Sequence, residues 1–329
     1  MSSSDIPLID VSPLATGEAR ETAGVAARIG AACRDIGFFY VAGHSVPPSL
    51  VSKAFAMSAT FFDRDEVFKR SVLYTAEGNR GYVPMKGEAL DPTRPADLKE
   101  AFNIGLELPS DDPDLLAGQM FRANNLWPKM AGFRDTMLAY FDACQGLGRL
   151  LHRAFAVDLG LAPDFFEDKI DRPMAVLRLL HYPPAPGRTE VGQLGAGEHT
   201  DYGCVTLLAT DGVGGLEVRT RAGEWLKAPH VPGAFVCNIG DCLMRWTNDI
   251  YVSTPHRVVS PSGRERYSIA FFLDPNPDAD IACLPNCATA ARPARYAPIR
   301  GDAFLASRLS PTYEKSGLGE APCAQAKAG

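Results

Sequence analysis

The sequence has no C-x-x-C pair, no run of basic residues and no long apolar stretch. Its eight cysteines are dispersed, so the pattern indicates neither a zinc site of paired cysteines nor a disulfide framework. With 33 lysine and arginine residues against 39 aspartate and glutamate residues, the formal net charge is −6. Because phosphate binding needs concentrated basic side chains, this charge argues against nucleic acid as a partner.

Targeting and membrane signals are also missing. No stretch approaches the roughly 18 apolar residues of a membrane-spanning helix. The opening segment MSSSDIPLIDVS has no charged region followed by an apolar core, so it does not read as a signal peptide. Cys204 and Cys237 lie inside apolar runs, where a free thiol behaves as a small hydrophobic side chain. We therefore expect a reduced, cytoplasmic protein without a membrane partner.

The spacing of apolar residues divides the chain into two regions. Up to about residue 170 they recur at intervals of three and four, which predicts mainly helices around one short strand, GFFYVAGH. From Pro173 onward, short runs separated by glycine, proline and asparagine predict the many strands of a sandwich or barrel. These runs are MAVLRLLHY, CVTLLAT, GLEVRT, GAFVCNIG, CLMRW, HRVVS and RYSIAFFLD.

No obvious linker separates the two regions, so we expect a single domain over residues 1–329. Within it, residues 1–170 form the mainly helical N-terminal region and residues 171–280 the β core that carries the candidate site. Residues 281–329 form a C-terminal segment that ends in a loose tail, because KSGLGEAPCAQAKAG has little to bury.

The segment GEHTDYG places His199 and Asp201 one residue apart, just before the apolar run CVTLLAT. Side chains at positions i and i+2 of a strand share a face, so both would project together from a strand end. A carboxylate at the entrance to a core needs a partner. A solvated turn is one explanation of the pair, and a metal ion is the other.

A third ligand for such a metal could come from His256, which stands in YVSTPHRVVS at the start of another predicted strand. Two imidazoles and one carboxylate on one face are typical of non-haem Fe(II) oxygenases, whose metal keeps open coordination positions. Zinc accepts similar ligands but usually adds a cysteine or a third histidine. As a metal site the pattern is more typical of iron than of zinc, while the H-x-D pair alone leaves the solvated turn open.

The run RERYSIAFFLD places Arg266 and Ser268 on one strand face. A guanidinium fork beside a hydroxyl group is suited to hold a carboxylate inside an apolar cavity. The alternative is that Arg264, Glu265 and Arg266 form the solvated tip of a hairpin.

Taken together, HTDYG, STPHRVV and RYS resemble the H-x-D…H…R-x-S signature of 2-oxoglutarate-dependent Fe(II) oxygenases of the isopenicillin N synthase-like family. The segments IPLIDVSPL, GFFYVAGHSVP and LRLLHYPP are similar to other parts of that family, and the resemblance covers roughly residues 5 to 310 in order. It implies a mixed α and β fold, a distorted double-stranded β-helix (jelly roll) core flanked by helices.

The resemblance also implies the chemistry. His199, Asp201 and His256 would bind Fe(II), and 2-oxoglutarate would chelate the metal while leaving a position for O2. Arg266 and Ser268 would anchor the distal carboxylate of the co-substrate. Oxidation of a small-molecule substrate would then release succinate and CO2.

Further residues are candidates for the same cavity. Tyr182 and Arg178 share a strand face, and the resemblance places Tyr182 near the co-substrate. Arg178 could face the oxo acid, a carboxylated substrate or a structural salt bridge. Tyr202 follows the second ligand and could line the pocket or only pack, while Glu100 and Asn103 in KEAFNIG match a segment that borders the substrate cavity of relatives.

The sequence thus predicts a 2-oxoglutarate-dependent dioxygenase. Two alternatives stay open: a 2-oxoglutarate-independent oxidase of the isopenicillin N synthase or aminocyclopropanecarboxylate oxidase kind, and a non-catalytic jelly-roll binding protein. Neither the substrate nor the oligomeric state can be inferred from the sequence, because pocket loops rather than the fold set specificity.

Overall fold

The computed structural model of the protein describes residues 6–16, 19–76, 78–91, 93–184, 192–259 and 263–313. The predicted loose tail and part of the loop PPAPGRTEVGQLGAGE lie outside the described residues.

The helices lie mostly in the N-terminal half. The longest begins after Gly132, whose positive φ of 73° turns the chain into it, and it buries an apolar face that includes Phe141 and Leu151. In chain order the helices are α1 (Ser12–Thr16), α2 (Ala19–Asp35), α3 (Pro48–Phe62), α4 (Glu66–Arg70), α5 (Pro113–Leu116), α6 (Phe133–Asp158), α7 (Asp241–Trp246) and α8 (Gly301–Tyr313), with short 3-10 turns at Glu167–Lys169 and Pro285–Cys287.

The strands are short and rich in β-branched and aromatic residues, as expected for pleated, half-buried segments. They are β1 (Leu8–Asp10), β2 (Phe38–Ala42), β3 (Gly81–Val83), β4 (Glu100–Gly105), β5 (Val176–Tyr182), β6 (Ala196–His199), β7 (Val205–Thr210), β8 (Leu216–Arg219), β9 (Trp225–Lys227), β10 (Phe235–Ile239), β11 (His256–Val258) and β12 (Arg266–Leu273).

Two sheets organise these strands. The larger sheet has the order β1-β2-β10-β7-β12-β5-β4-β3, and the smaller one has the order β6-β11-β8-β9. Apart from the parallel pair β1 and β2, the strand pairs are antiparallel. The neighbours in each sheet are mostly not consecutive in the chain, which is the connectivity of a jelly roll rather than of a meander.

The larger sheet separates two apolar cores, because successive side chains point to opposite faces. In β12, Ile269 and Phe271 belong to the core shared with α2, α3 and α6. Ala270 belongs to the second core, which also contains Leu216 and Val258 of the smaller sheet. The two sheets therefore face each other, and the candidate site lies between them. The predicted fold class, a jelly-roll core flanked by helices, is confirmed.

Two details of the sequence prediction are wrong. The run CLMRW is not a strand but belongs to α7, whose first turn is closed by the hydrogen bond from Met244 N to Gly240 O. A short apolar run of this length cannot be assigned to strand or buried helix by periodicity alone. The N-terminal region also contributes more strand than expected, since β3 and β4 extend the larger sheet through the pairing of β4 with β5.

Within the described ranges, no helix combines the length and the apolar character needed to cross a bilayer.

Candidate active site

A cavity opens between the two sheets, and several predicted site residues line it. They come from the inward faces of β5, β6, β11 and β12 and from the turn after β6. The structure brings nine of the ten predicted residues to this cavity. Six of them are the candidates for binding the metal and the co-substrate: His199, Asp201, His256, Arg266, Ser268 and Tyr182.

The H-x-D pair and His256 meet at neighbouring strand ends. His199 is the last residue of β6 and pairs in register with His256, the first residue of β11. Their ring centroids are 4.3 Å apart. Asp201 Oδ1 lies 3.8 Å from His199 Nε2 and 3.7 Å from His256 Nε2. One ligand atom from each residue thus converges on a common point, with all three within 4.8 Å of one another.

Backbone hydrogen bonds fix the orientation of the two imidazoles. His199 Nδ1 lies 2.7 Å from the carbonyl oxygen of Gly197, and His256 Nδ1 lies 3.1 Å from that of Thr254. A carbonyl only accepts, so each Nδ1 carries the proton and each Nε2 keeps a lone pair directed at the common point.

The carboxylate is held by side-chain donors. Asp201 Oδ2 accepts hydrogen bonds from Thr206 Oγ1 at 2.5 Å and Asn238 Nδ2 at 2.6 Å, which leaves Oδ1 directed at the common point. Supporting bonds of this kind orient metal ligands and tune their basicity.

The electrostatics of the cluster suit a divalent cation. Burial, together with the neighbouring His256, lowers the pKa of His199 to about 3. Burial would raise the pKa of Asp201, but His256, His199 and its two hydrogen-bond donors hold it below its ordinary value. Neutral imidazole at position 199 and an ionised carboxylate are the ligand forms that a metal requires. Asp201 and His256 are also buried, which does not fit a solvated turn.

Arg266 lies at another part of the cavity wall and is 1% exposed. Its Nε donates to the carbonyl oxygen of Gly214 at 2.7 Å, its Nη1 donates to Ser268 Oγ at 3.3 Å, and its guanidinium carbon lies 4.5 Å from the ring centroid of Tyr182. Across the described part of the chain, no carboxylate oxygen lies within 4.0 Å of its nitrogen atoms. A buried guanidinium without a counter-ion is costly, so the site is suited to an anionic ligand.

The hairpin alternative for this residue is wrong. Arg264 and Glu265 are exposed, whereas Arg266 points inward from the first position of β12.

Arg178 lines the cavity but has a partner that the sequence analysis missed. Its Nη1 and Nη2 contact Glu88 Oε1 and Oε2 at 3.1 and 2.8 Å. Glu88 also lies 3.1 Å from Lys99 Nζ, which contacts Asp97 Oδ2 at 2.6 Å. The salt-bridge interpretation of Arg178 therefore holds, and a role toward the oxo acid stays a prediction.

The pKa values reflect this pairing. Burial would raise the pKa of Glu88, but Arg178 and Lys99 hold it far below its ordinary value. Burial would lower the pKa of Lys99, but Asp97 and Glu88 raise it. Glu88 and Lys99 are therefore charged at neutral pH although both are buried.

Of the three remaining predicted residues, two line the cavity and one does not. Tyr202 and Asn103 line the cavity. Glu100 does not: its carboxylate bonds to Lys69 Nζ, the Tyr82 hydroxyl and His181 Nδ1 on the opposite side of the larger sheet. Residues 100 and 103 are an odd number of positions apart on β4, so their side chains must point to opposite faces.

Family comparisons match both halves of the chain. Residues 6–130 match the family described as the N-terminal region of non-haem dioxygenases in morphine synthesis. Residues 173–275 match the 2OG-Fe(II) oxygenase superfamily.

Individual proteins are similar over nearly the whole chain. The 2-oxoglutarate-Fe(II) type oxidoreductase hxnY of Emericella nidulans is 34% identical over 94% of this chain and 91% of that relative. A full-length Neurospora crassa protein, crystallised in complex with alpha-KG and thymine, is 35% identical, has a TM-score of 0.82, and matches over 93% of this chain and 96% of its own. A 2OG-Fe(II) oxygenase family protein from Caulobacter crescentus is 34% identical, with a TM-score of 0.83 over 93% of this chain and 98% of its own.

Proposed function

Because the chain belongs to the 2-oxoglutarate- and Fe(II)-dependent oxygenases, we propose that the cavity between its two sheets is where this enzyme oxidises its small-molecule substrate. The enzyme is a 2-oxoglutarate-dependent dioxygenase that uses Fe(II), 2-oxoglutarate and O2 and releases succinate and CO2.

His199 and His256 bind Fe(II) through Nε2, and Asp201 binds it through Oδ1. The support is the convergence of these three atoms together with the hydrogen bonds that hold the other ring nitrogens and the other carboxylate oxygen. When bound, the metal supplies the activation of O2 that couples decarboxylation of the co-substrate to oxidation of the substrate. Three protein ligands leave positions on the metal for the co-substrate and O2.

Arg266 holds the distal carboxylate of 2-oxoglutarate through its guanidinium, and Ser268 adds a hydroxyl donor. Tyr182 packs against the guanidinium and keeps it in place. The observation that carries this proposal is that Arg266 is buried without a carboxylate partner among the described residues and lines the same cavity as the metal cluster. The dianion of 2-oxoglutarate supplies the missing counter-charge.

The direct test is turnover with Fe(II), O2 and a panel of small molecules. We expect succinate and oxidised product in equal amounts, and only when 2-oxoglutarate is present. Product formation in the strict absence of any 2-oxo acid would overturn the proposal and favour the oxidase alternative. The relatives named for 2-oxoglutarate favour the dioxygenase over both alternatives.

Three wider assignments belong to the proposal as well. We propose a single oxygenase domain, supported by the pairing of N-terminal β2 and β4 with β10 and β5 in one sheet. We propose a cytoplasmic location, supported by the free state of the seven cysteines that the structure describes. The partner is a small molecule rather than nucleic acid, supported by the net charge of −6 and by the thymine bound to the Neurospora crassa relative.

A further inference from the structure

Four charged side chains form a cluster beside the cavity: the buried Glu88, Asp97 and Lys99 and the partly buried Arg178, here called the wall cluster. Glu88, Lys99 and Arg178 line the cavity, and Asp97 contacts Lys99. Asp97 also accepts the backbone N–H of Gly197 at 2.9 Å, which ties the cluster to the strand that carries His199. Two cations meet two anions at distances of 2.6 to 3.1 Å, so the cluster has no net charge.

Apart from Asp274, the other charges of the described cavity lining sum to zero once Fe(II) and 2-oxoglutarate are bound. Arg266 contributes one positive charge and Asp201 one negative charge. Fe(II) and the 2-oxoglutarate dianion carry equal and opposite charges. Among the described residues that line the cavity, no positive charge is therefore left to compensate a carboxylate on the substrate, and desolvating an uncompensated carboxylate in such a cavity is strongly unfavourable.

Asp274 strengthens this conclusion. It is the remaining acidic side chain of the cavity lining, it is buried, and its Oδ1 has no hydrogen-bond partner among the described residues. Ionised, it would repel an anionic substrate; protonated, it would leave the cavity neutral. In neither state does it supply a positive charge to a carboxylate.

Asn103 adds a hydrogen-bonding requirement. Its Nδ2 donates to Asn79 Oδ1 at 2.9 Å, and its Oδ1 is buried without a partner among the described residues. Asn103 lies opposite Arg178 in the pairing of β4 with β5 and lines the cavity. A buried acceptor of this kind is satisfied when a ligand brings a donor to it.

We infer that the substrate of this enzyme is an uncharged molecule with a hydrogen-bond donor, such as the N–H of a carboxamide or lactam, and that it is not a carboxylic acid. The wall cluster, which has no net charge, disfavours a charged substrate, and Asn103 Oδ1 accepts the hydrogen bond from the donor of the substrate. The inference rests on the proposed function, because it takes the metal and the 2-oxoglutarate dianion as bound.

The test measures binding rather than turnover. Anaerobic calorimetry is done on protein saturated with Fe(II) and 2-oxoglutarate, so that the Arg266 site is filled. The probes are matched pairs: benzamide and benzoate, nicotinamide and nicotinate, uracil and orotate. We expect the uncharged member of a pair to bind at least about 10-fold more tightly than its acid. Tighter binding of the acid in any pair would overturn the inference.

Two variants change the charge of the wall cluster in opposite directions. Glu88→Gln leaves a cation uncompensated and should raise the affinity for benzoate by about 10-fold or more. Lys99→Met leaves an anion uncompensated and should instead raise the affinity for benzylammonium. Glu100→Gln is the matched control, because it removes an equally buried carboxylate from the opposite face of the sheet and should leave both affinities unchanged.

The outcomes separate the inference from the proposed function. If the wild-type protein binds 2-oxoglutarate but Glu88→Gln gains no affinity for benzoate, the inference fails and the function stands. The inference is also refuted if Glu88→Gln and Glu100→Gln bind benzoate with equal affinity. Failure of the wild-type protein to bind 2-oxoglutarate at all would instead contradict the proposed function.

A further variant tests the role of Asn103. Asn103→Leu should abolish the preference for benzamide over N,N-dimethylbenzamide, and a retained preference would remove Asn103 from the substrate site.

Discussion

Replacing Arg266 by methionine keeps much of the side-chain stem and removes the cation that we assign to the distal carboxylate of 2-oxoglutarate. Because Arg266 is 1% exposed, the lost interaction is a charge-assisted one in a nearly dry site. Such losses cost about 2–5 kcal/mol. At 1.4 kcal/mol per factor of ten, the dissociation constant of 2-oxoglutarate should rise by roughly 30-fold to several thousand-fold.

The assay for this prediction is anaerobic calorimetry of 2-oxoglutarate binding to the Fe(II) protein. Arg266→Lys should recover only part of the affinity, since lysine offers a point charge in place of a fork. Thermal unfolding of the metal-free protein serves as the folding control. Because Arg266 has no carboxylate partner among the described residues, Arg266→Met should not destabilise that form through loss of an ion pair. An unchanged dissociation constant for Arg266→Met, with a large increase for Arg178→Met, would refute the assignment and move the anchor to Arg178.

Two further predictions concern the support of the metal site and the helical core. Asn238→Leu removes one of the two donors that hold Asp201 Oδ2. The Fe(II) affinity, measured by anaerobic chelator competition, should therefore fall by about 10-fold or more. An affinity equal to that of the wild type would show that this hydrogen bond does not position Asp201. His152 is buried with its pKa lowered to about 4, so the unfolded chain binds a proton that the folded protein does not. His152 alone should therefore lower the stability by roughly 1.4 kcal/mol per pH unit as the pH falls from about 6.5 to about 4. In denaturant unfolding, His152→Phe should reduce the slope of stability against pH by about that amount, whereas an unaltered slope would contradict the assignment.

The convergence of His199, Asp201 and His256 could be predicted from the sequence because the two histidines occupy strand ends, where side chains have little freedom of direction, and Asp201 follows two residues after His199. His199 and His256 face each other through a single antiparallel register. Arg266 and Ser268 could be predicted for the same reason, since alternate residues of β12 share one face. In both cases the alternation of side chains along a strand predicts which residues point to the same face of the sheet.

The same rule explains one error. The sequence prediction places Glu100 and Asn103 in one cavity, although their separation along β4 puts them on opposite faces. The rule applies only where a segment is known to be a strand, and the sequence pattern of the N-terminal region predicts mainly helices.

Glu88 and Lys99 could not be found by periodicity. Glu88 lies in a segment without helix or strand, and Lys99 comes just before β4. Their partner Arg178 is 90 residues from Glu88 in the sequence. The only signal is the presence of an arginine within an apolar strand, which requires a buried anion but does not identify it.

The central claim is that His199, Asp201 and His256 together bind the catalytic iron. Its most direct test is an anaerobic Fe(II) titration of the wild-type protein, of His256→Ala and of the control His230→Ala, whose histidine is exposed and bonded to Thr210. We predict one tightly bound Fe(II) per chain for the wild type and the control, and loss of stoichiometric binding for His256→Ala with the fold retained. Full stoichiometric binding by His256→Ala would contradict the account.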